Sequence, residues 1–262
     1  SNALYKNSTS TTTVENTTIN GYVYNGNGNG TLNLKDSSIN RSTSGGGITN
    51  YLSQGKSTLD NTTINLMVYS NTNSSTTDIG IKNTGTLTIN NNTNINITLE
   101  NGVRNHHTYG IHTNNALTLD NSNITIIGNT YSSGYTNYGI YNESGITTIS
   151  SGDINVTGIN SYGIYSSNGS ITVLGKTIKA KGTTTFGIYM KTGTLVLGTP
   201  EETTSPNYGK ETADVSITNP LIESLGTNSG IGIKNETGTF KYYDGKIVAT
   251  NTPLPGIPNY VE

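Results

Sequence analysis

The stretch from Tyr138 to Tyr189 decides the fold, because it contains one four-residue sequence three times. The sequence reads YGIY at 138–141, YGIY at 162–165 and FGIY at 186–189. The three copies are 24 residues apart, since 164 − 140 and 188 − 164 both equal 24. A fixed spacing of this kind is typical of a protein built from stacked copies of one structural unit.

The same slot recurs on both sides of this stretch, at wider and less regular spacings. It is occupied by Val23, Ile48, Ile81, Ile111 and Ile233. The irregular spacing indicates a constant unit that carries loop insertions, which we expect near residues 102–108 and 198–220. The chain therefore contains about eight such units.

Each unit holds two further short segments in which apolar and polar residues alternate. The second segment is exemplified by LTI at 87–89, and the third, which follows a polar corner, by INI at 95–97. Val14 and Ile19 fit these two segments in a partial first unit. Alternation of period two predicts strands, and the Gly, Asn, Asp and Ser residues between them predict tight corners.

Three strands per unit, stacked in register, predict an all-β protein, a right-handed parallel β-helix of about eight three-strand coils. A helical fold is excluded because no window shows apolar residues at helical spacing. A β-sandwich is disfavoured because its strands do not repeat one three-part sequence. We expect residues 1–3 to be the remnant of a cleaved tag and residues 4–262 to form a single domain. The inward column should contain Ile48, Ile81, Ile111, Ile140, Ile164, Ile188 and Ile233.

The composition argues against several classes of function. Charged residues make up 11% of the chain and the net charge is −2, so there is no clustered basic stripe for nucleic acid. No window approaches 18 consecutive apolar residues, and a membrane-spanning helix is not expected. The lack of cysteine excludes disulfides and cysteine metal sites.

The two insertions hold the residues that could bind a metal ion. The first contains His106 and His107, with His112 following on a strand. Adjacent histidines seldom converge on one ion, and no carboxylate lies between them, so a surface loop is favoured. The second collects acidic residues without the ordered spacing of a calcium loop, which favours a solvated excursion. The sequence thus predicts neither a metal site nor a cofactor.

An outward row of aromatic residues follows from the same alternation. If Ile140 points inward, Tyr141 points outward, and the equivalent residues of neighbouring coils do the same. The candidate ligand-binding residues are Tyr141, Tyr165, Tyr189 and His112. Two interpretations stay open: stacking that stiffens the rod without any ligand, and a stripe that binds a glycan or a partner protein. The residues predicted to pack in the core or at a corner, because they share the parity of the inward isoleucines, are Tyr138, Tyr162 and Phe186.

Three short sequences carry a family resemblance. They are GTLVLG at 193–198, TTSP at 203–206 and FKYYDGKI at 240–247. They resemble repeats in large surface proteins of Gram-positive bacteria, and the three-strand coil resembles the pectate-lyase-type superfold. The resemblance implies an extracellular or cell-surface location in a bacterium.

Enzymes of that superfold cleave polysaccharides, so a polysaccharide lyase or a tailspike-like glycoside hydrolase is the alternative function. Asp60 and Asp120 occupy one slot two coils apart, about 9.6 Å, at the outer limit for a pair of hydrolytic carboxylates. Both lie at corners, where Asp and Asn form turns, and the polygalacturonase motifs NTD, DD, GHG and RIK are absent. No catalytic residue is predicted. The favoured function is a non-catalytic surface module, a spacer or adhesin, whose partner is a glycan or a host or cell-surface protein.

Overall fold

The computed structural model describes residues 4–43, 49–69, 76–100, 106–131, 133–198, 220–243 and 245–250. In these residues 23 strands wind into a parallel β-helix, and no α-helix is present. Every strand pairing is parallel, which confirms the predicted fold class. Within the same ranges no helix is long and apolar enough to span a membrane.

The strands lie on three faces, and four long strands turn a corner and contribute to two faces. The first face contains β1 (Leu4–Lys6), β4 (Val23–Asn25), β7 (Thr49–Ser53), β10 (Thr76–Asn83), β13 (His106–Thr113), the first halves of β16 (Thr136–Ile149) and β18 (Asn160–Val173), and the second halves of β19 (Lys176–Met190) and β21 (Pro220–Asn235). The second face contains β2 (Thr11–Glu15), β5 (Thr31–Lys35), β8 (Lys56–Asp60), β11 (Thr86–Asn90), β14 (Leu117–Leu119), the second halves of β16 and β18, β20 (Gly193–Leu197) and β22 (Thr239–Tyr242). The third face contains β3 (Thr18–Asn20), β6 (Ser38–Thr43), β9 (Thr63–Val68), β12 (Asn94–Leu99), β15 (Asn123–Ile127), β17 (Ile154–Thr157), the first halves of β19 and β21, and β23 (Lys246–Ala249).

The start of the rod and the first insertion differ in detail from the expectation. In the described residues each face carries nine strands, where about eight units were predicted. The strand β1 pairs with β4, so the first unit holds a first-face strand that the sequence did not reveal. The strand β13 begins at His106, so residues 106–108 belong to a strand and not to a loop. Residues 101–105 and 199–219, which make up most of the two predicted insertions, lie outside the described residues.

The predicted inward column is present on the first face. In successive pairings Ile81 aligns with Ile111, and Ile140 aligns with Ile164. The column continues through Ile188 to Ile233, and its side chains are between 0% and 6% exposed. Ile48 lies outside the described residues. Isoleucine, leucine and valine from all three faces meet in one core, which is the burial that holds the coils together.

The corner after the second face uses the left-handed backbone conformation. Asn16, Asp36, Asn61 and Asn121 have φ between 45° and 50°, and each comes directly after a second-face strand or one residue later. Asn and Asp tolerate this conformation better than other residues with side chains. The Asn61 amide also donates to Asp36 Oδ1 of the neighbouring coil at 2.6 Å. Side chains at this corner therefore both allow the tight backbone turn and hydrogen-bond successive coils to each other.

Candidate functional site

The outer surface of the first face is shaped by a break in the strand alternation at Gly139. Gly139 and Ile140 are both buried, whereas Tyr138 and Tyr141 on either side are half-buried. A Cβ atom on Gly139 would lie 2.4 Å from the Cγ2 atom of Ile154 on the third face. Only glycine leaves room for that approach. Two successive residues thus point inward, and both flanking tyrosines reach the outer surface.

The same break recurs in the following coils. Tyr138 and Tyr162 lie within strands and are half-buried, so the expectation that they pack in the core or at a corner is wrong. Tyr162 is half-buried like Tyr138, and the two rings lie 5.1 Å apart. Phe186 is buried, but its ring stacks on Tyr162 at 4.7 Å and meets Tyr189 at 5.2 Å in the same outer layer. Strict inward–outward alternation places Tyr138 on the inner side of the strand. That prediction fails because two successive residues, Gly139 and Ile140, point inward.

The four candidate residues form one continuous row, which we call the tyrosine ladder (His112, Tyr141, Tyr165 and Tyr189). The rings of Tyr141 and Tyr165 stack with centroids 5.1 Å apart and planes 13° apart. Tyr165 and Tyr189 follow at 5.1 Å and 31°. His112 closes the row edge-on to Tyr141, at 5.0 Å and 85°. Spacings of this size are those of favourable aromatic pairs.

A second ladder (Tyr109, Tyr138, Tyr162 and Phe186) runs beside the first and was not predicted. Tyr109 and Tyr138 stack at 4.9 Å. Across the two ladders the rings meet edge to face, as Tyr138 does with Tyr141 at 5.3 Å and 81°. We call the two ladders together the aromatic face. Its rings are held on two sides, by the coils above and below and by the neighbouring ladder.

The phenol groups of the aromatic face stay neutral over a wide pH range. Burial, followed by the neighbouring Tyr141, raises the pKa of Tyr109 to about 12. Burial likewise raises the pKa of Tyr162 to about 12, and it also raises the pKa of Tyr138 and Tyr165. Each hydroxyl can therefore both donate and accept a hydrogen bond at neutral pH.

Charged groups mark both ends of the tyrosine ladder. At one end His112 Nε2 lies 3.2 Å from Glu143 Oε2, and burial lowers the pKa of His112. At the other end the Lys234 ammonium donates to the Tyr189 hydroxyl at 3.1 Å and lies 4.6 Å from the centre of its ring. The Tyr189 hydroxyl in turn donates to Glu236, and this hydrogen bond lowers the pKa of the Glu236 carboxyl. Polar groups thus limit the apolar strip along the rod axis.

The histidines of the predicted loop take separate positions. His106 is buried, with Nδ1 2.6 Å from Asp78 Oδ2, so its predicted place in a surface loop is wrong. His107 is half-buried; its Nδ1 accepts a hydrogen bond from the Thr136 backbone N–H at 3.2 Å. In the part of the chain that the structure describes, no group of three histidine or carboxylate side chains could hold a metal ion.

Asp60 and Asp120, the two carboxylates considered as a hydrolytic pair, both accept hydrogen bonds at the corner after the second face. Asp60 Oδ1 accepts a hydrogen bond from the Asn91 amide at 2.8 Å. Asp120 Oδ1 accepts one from the Ser151 hydroxyl at 2.7 Å. Each carboxylate thus joins one coil to the next, in the manner of Asp36 and Asn61.

The comparisons with known proteins identify no relative of this chain. No protein family model matches it, and neither a curated protein nor a solved structure is significantly similar to it. An origin in a Gram-positive surface protein therefore stays a prediction.

Proposed function

We propose that this protein is a non-catalytic β-helix module of a bacterial cell surface, acting as a spacer or adhesin that binds an extended glycan or a partner protein along the aromatic face. The observation that supports the proposal is the pair of parallel aromatic ladders on one outer face. The surface location comes from the resemblance of three short sequences to bacterial surface repeats.

The aromatic face suits binding because its rings are ordered before any ligand arrives. Immobilising a free side chain on binding costs about 0.5–1.5 kcal/mol. Tyr141 and Tyr165 are already stacked on each other, and the second ladder meets them from the side. That cost is therefore small here, and the contact energy of a ligand is retained as affinity.

The chemistry of the face favours a polyhydroxylated chain over a purely apolar one. Stacking covers part of each ring face, so a ligand meets ring edges and neutral hydroxyls in a regular row. Hydroxyls that donate and accept match sugar hydroxyls, and ring edges match the C–H surfaces of sugars. A partner protein would use the same strip through apolar side chains and is the second outcome of the test.

The proposal is tested by screening the protein on a glycan array and measuring reducing-end release on every glycan that binds. We expect binding without product release. Changing Tyr141, Tyr165 and Tyr189 together to serine should abolish binding, while circular dichroism reports an intact β-fold.

A control replaces two exposed tyrosines outside the first-face strands, Tyr69 and Tyr131, with serine. This variant should bind as the unchanged protein does. If binding survives the triple change of Tyr141, Tyr165 and Tyr189 unaltered, the aromatic face is only structural and the proposed site is wrong.

A further inference from the structure

A concave surface lies on the outer side of the third face, where β6, β9 and β12 run side by side. Its volume is about 860 Å³, which lies within the range typical of small-molecule sites, about 300–1,000 Å³. Its lining includes Tyr22, Asn40, Arg41, Asn65, Met67 and Asn96. We call this surface the third-face groove.

A row of asparagine amides runs along the groove. The Asn65 amide donates to Asn40 Oδ1 at 2.9 Å, and the Asn96 amide donates to Asn65 Oδ1 at 3.0 Å. These bonds fix which end of each amide is nitrogen and which is oxygen. Each amide has two N–H donors and two acceptor lone pairs, so every member keeps hydrogen-bonding capacity beyond the row. The result is a series of oriented polar groups at the coil spacing of roughly 4.8 Å.

The Arg41 guanidinium is the charged group of the groove. Arg41 as a whole is half-buried, and its Cζ atom lies 5.9 Å from the centre of the Tyr22 ring. Across the described ranges, no carboxylate forms an ion pair with Arg41, and the groove lining contains no Asp or Glu. A guanidinium offers five N–H donors in a planar fork, which matches a carboxylate with two parallel hydrogen bonds.

Apolar surface lies beside these polar groups. Tyr22 is 40% exposed and Met67 is 44% exposed. A tyrosine ring and a flexible thioether side chain are suited to contact with the C–H surface of a sugar ring. The groove therefore combines one cation, a row of amides and an apolar wall within reach of one another.

We infer that the third-face groove binds a uronate-containing glycan. The sugar carboxylate pairs with the Arg41 fork, the hydroxyls of successive sugars bond to the asparagine row, and one sugar ring lies against Tyr22 and Met67. This site is on a different face from the aromatic face, so the inference does not rest on the proposed function above.

Calorimetric titration with a panel of uronate hexasaccharides tests the inference. The panel contains glucuronate, galacturonate and alginate oligomers, each with its methyl ester, together with a sulfated neutral hexasaccharide. We expect at least one uronate to bind with a saturable isotherm. Esterification and the substitution Arg41→Gln should each weaken its binding by roughly tenfold or more, the loss of one charge-assisted hydrogen bond pair.

Three further variants test whether uronate binding depends on the third-face groove. Lys181→Gln removes an equal charge from an exposed position of the same face outside the groove, and should leave binding unchanged. Asn65→Ala interrupts the amide row and should weaken binding. The Tyr141, Tyr165 and Tyr189 to serine variant should bind the uronate normally, which separates this site from the aromatic face. Thermal unfolding checks that each variant is folded.

The inference is overturned if no uronate of the panel binds. It is equally overturned if the methyl ester or the folded Arg41→Gln variant binds as tightly as its parent. Tighter binding of the sulfated neutral hexasaccharide would show that the groove selects sulfate and not carboxylate, and would refute the assignment to uronates.

Discussion

Replacing Gly163 with alanine tests the break in alternation that creates the aromatic face. Gly163 is the inward glycine between Tyr162 and Ile164. A Cβ atom added there would lie 2.3 Å from Ile178 Cγ2 and 2.6 Å from the Gly187 carbonyl oxygen. The first contact could be relieved by moving a side chain. The second is with the backbone of the next coil, and relieving it requires the strands to separate.

The expected loss of stability follows from these two contacts. Overpacking a core costs about 1–3 kcal/mol, and a clash with backbone on a second side places this change at the upper end. Alanine also lowers the entropy of the unfolded chain, which offsets about 0.4–1 kcal/mol. The net destabilisation is therefore about 2 kcal/mol. For a chain of this size that corresponds to a fall in Tm of about 4–8 °C.

Thermal and urea unfolding, followed by far-ultraviolet circular dichroism, measure the effect. Gly28→Ala is the matched control, because the nearest atom to its added Cβ is 3.9 Å away and Gly28 is exposed. That variant should be as stable as the parent or slightly more so. A Gly163→Ala protein that unfolds at the same temperature as Gly28→Ala would refute the reasoning, and with it the claim that glycine is required for Tyr162 and Tyr165 to share a face.

Three other predictions follow from burial and hydrogen bonding. Ile164→Asp should destabilise the fold by at least about 3 kcal/mol in the same unfolding assays, because it places an unpaired charge in a fully buried column; a smaller loss would contradict the inward position. The folded state holds the phenol protons of Tyr109 and Tyr162 more tightly than the unfolded state, whose tyrosine pKa is 10.0, so the stability they contribute is complete below that pH and is lost as the pH rises through about 12. Unfolding free energies and phenolate absorbance measured across this window should show it, and ionisation of every tyrosine with a midpoint near the unfolded value would argue against it. The protein should release no product from acidic polysaccharides, and steady release that disappears in Asp60→Asn or Asp120→Asn would establish catalysis instead.

The first-face column could be predicted from the sequence because its spacing is short and regular. A residue that recurs every 24 positions, as Ile140, Ile164 and Ile188 do, has only one place in a stacked coil. The position of Tyr138 was missed because it depends on how near Ile154 comes to Gly139, a contact across the interior. The signal that could have revealed it is the glycine itself, since a glycine inside a strand often marks a close approach of another chain segment.

The buried histidine and the third-face groove depend on strand register between distant parts of the chain. His106 follows a polar stretch that reads as a loop, and its partner Asp78 comes 28 residues earlier. Similarly, Arg41 comes 24 residues before Asn65 and 55 residues before Asn96 in the sequence. It lies in the same groove as Asn65 and Asn96 only because β6, β9 and β12 align side by side. Sequence spacing predicts the stacking of coils. It does not predict which side chains of different coils come into contact or where a groove forms on the surface.

The regular pairing of Ile140, Ile164 and Ile188 also means that the length of the β-helix can be changed by whole coils. Residues 160–183 form one full coil. The residues that align with them in the preceding coil lie 24 positions earlier, and those that align with its first-face and second-face strands in the following coil lie 24 positions later. A tandem duplication of this segment would insert one more turn without introducing a new kind of interior contact. Each inserted turn would lengthen the molecule by roughly 4.8 Å. It would also add one ring to each ladder, so the reach of the module and the extent of its aromatic face grow together.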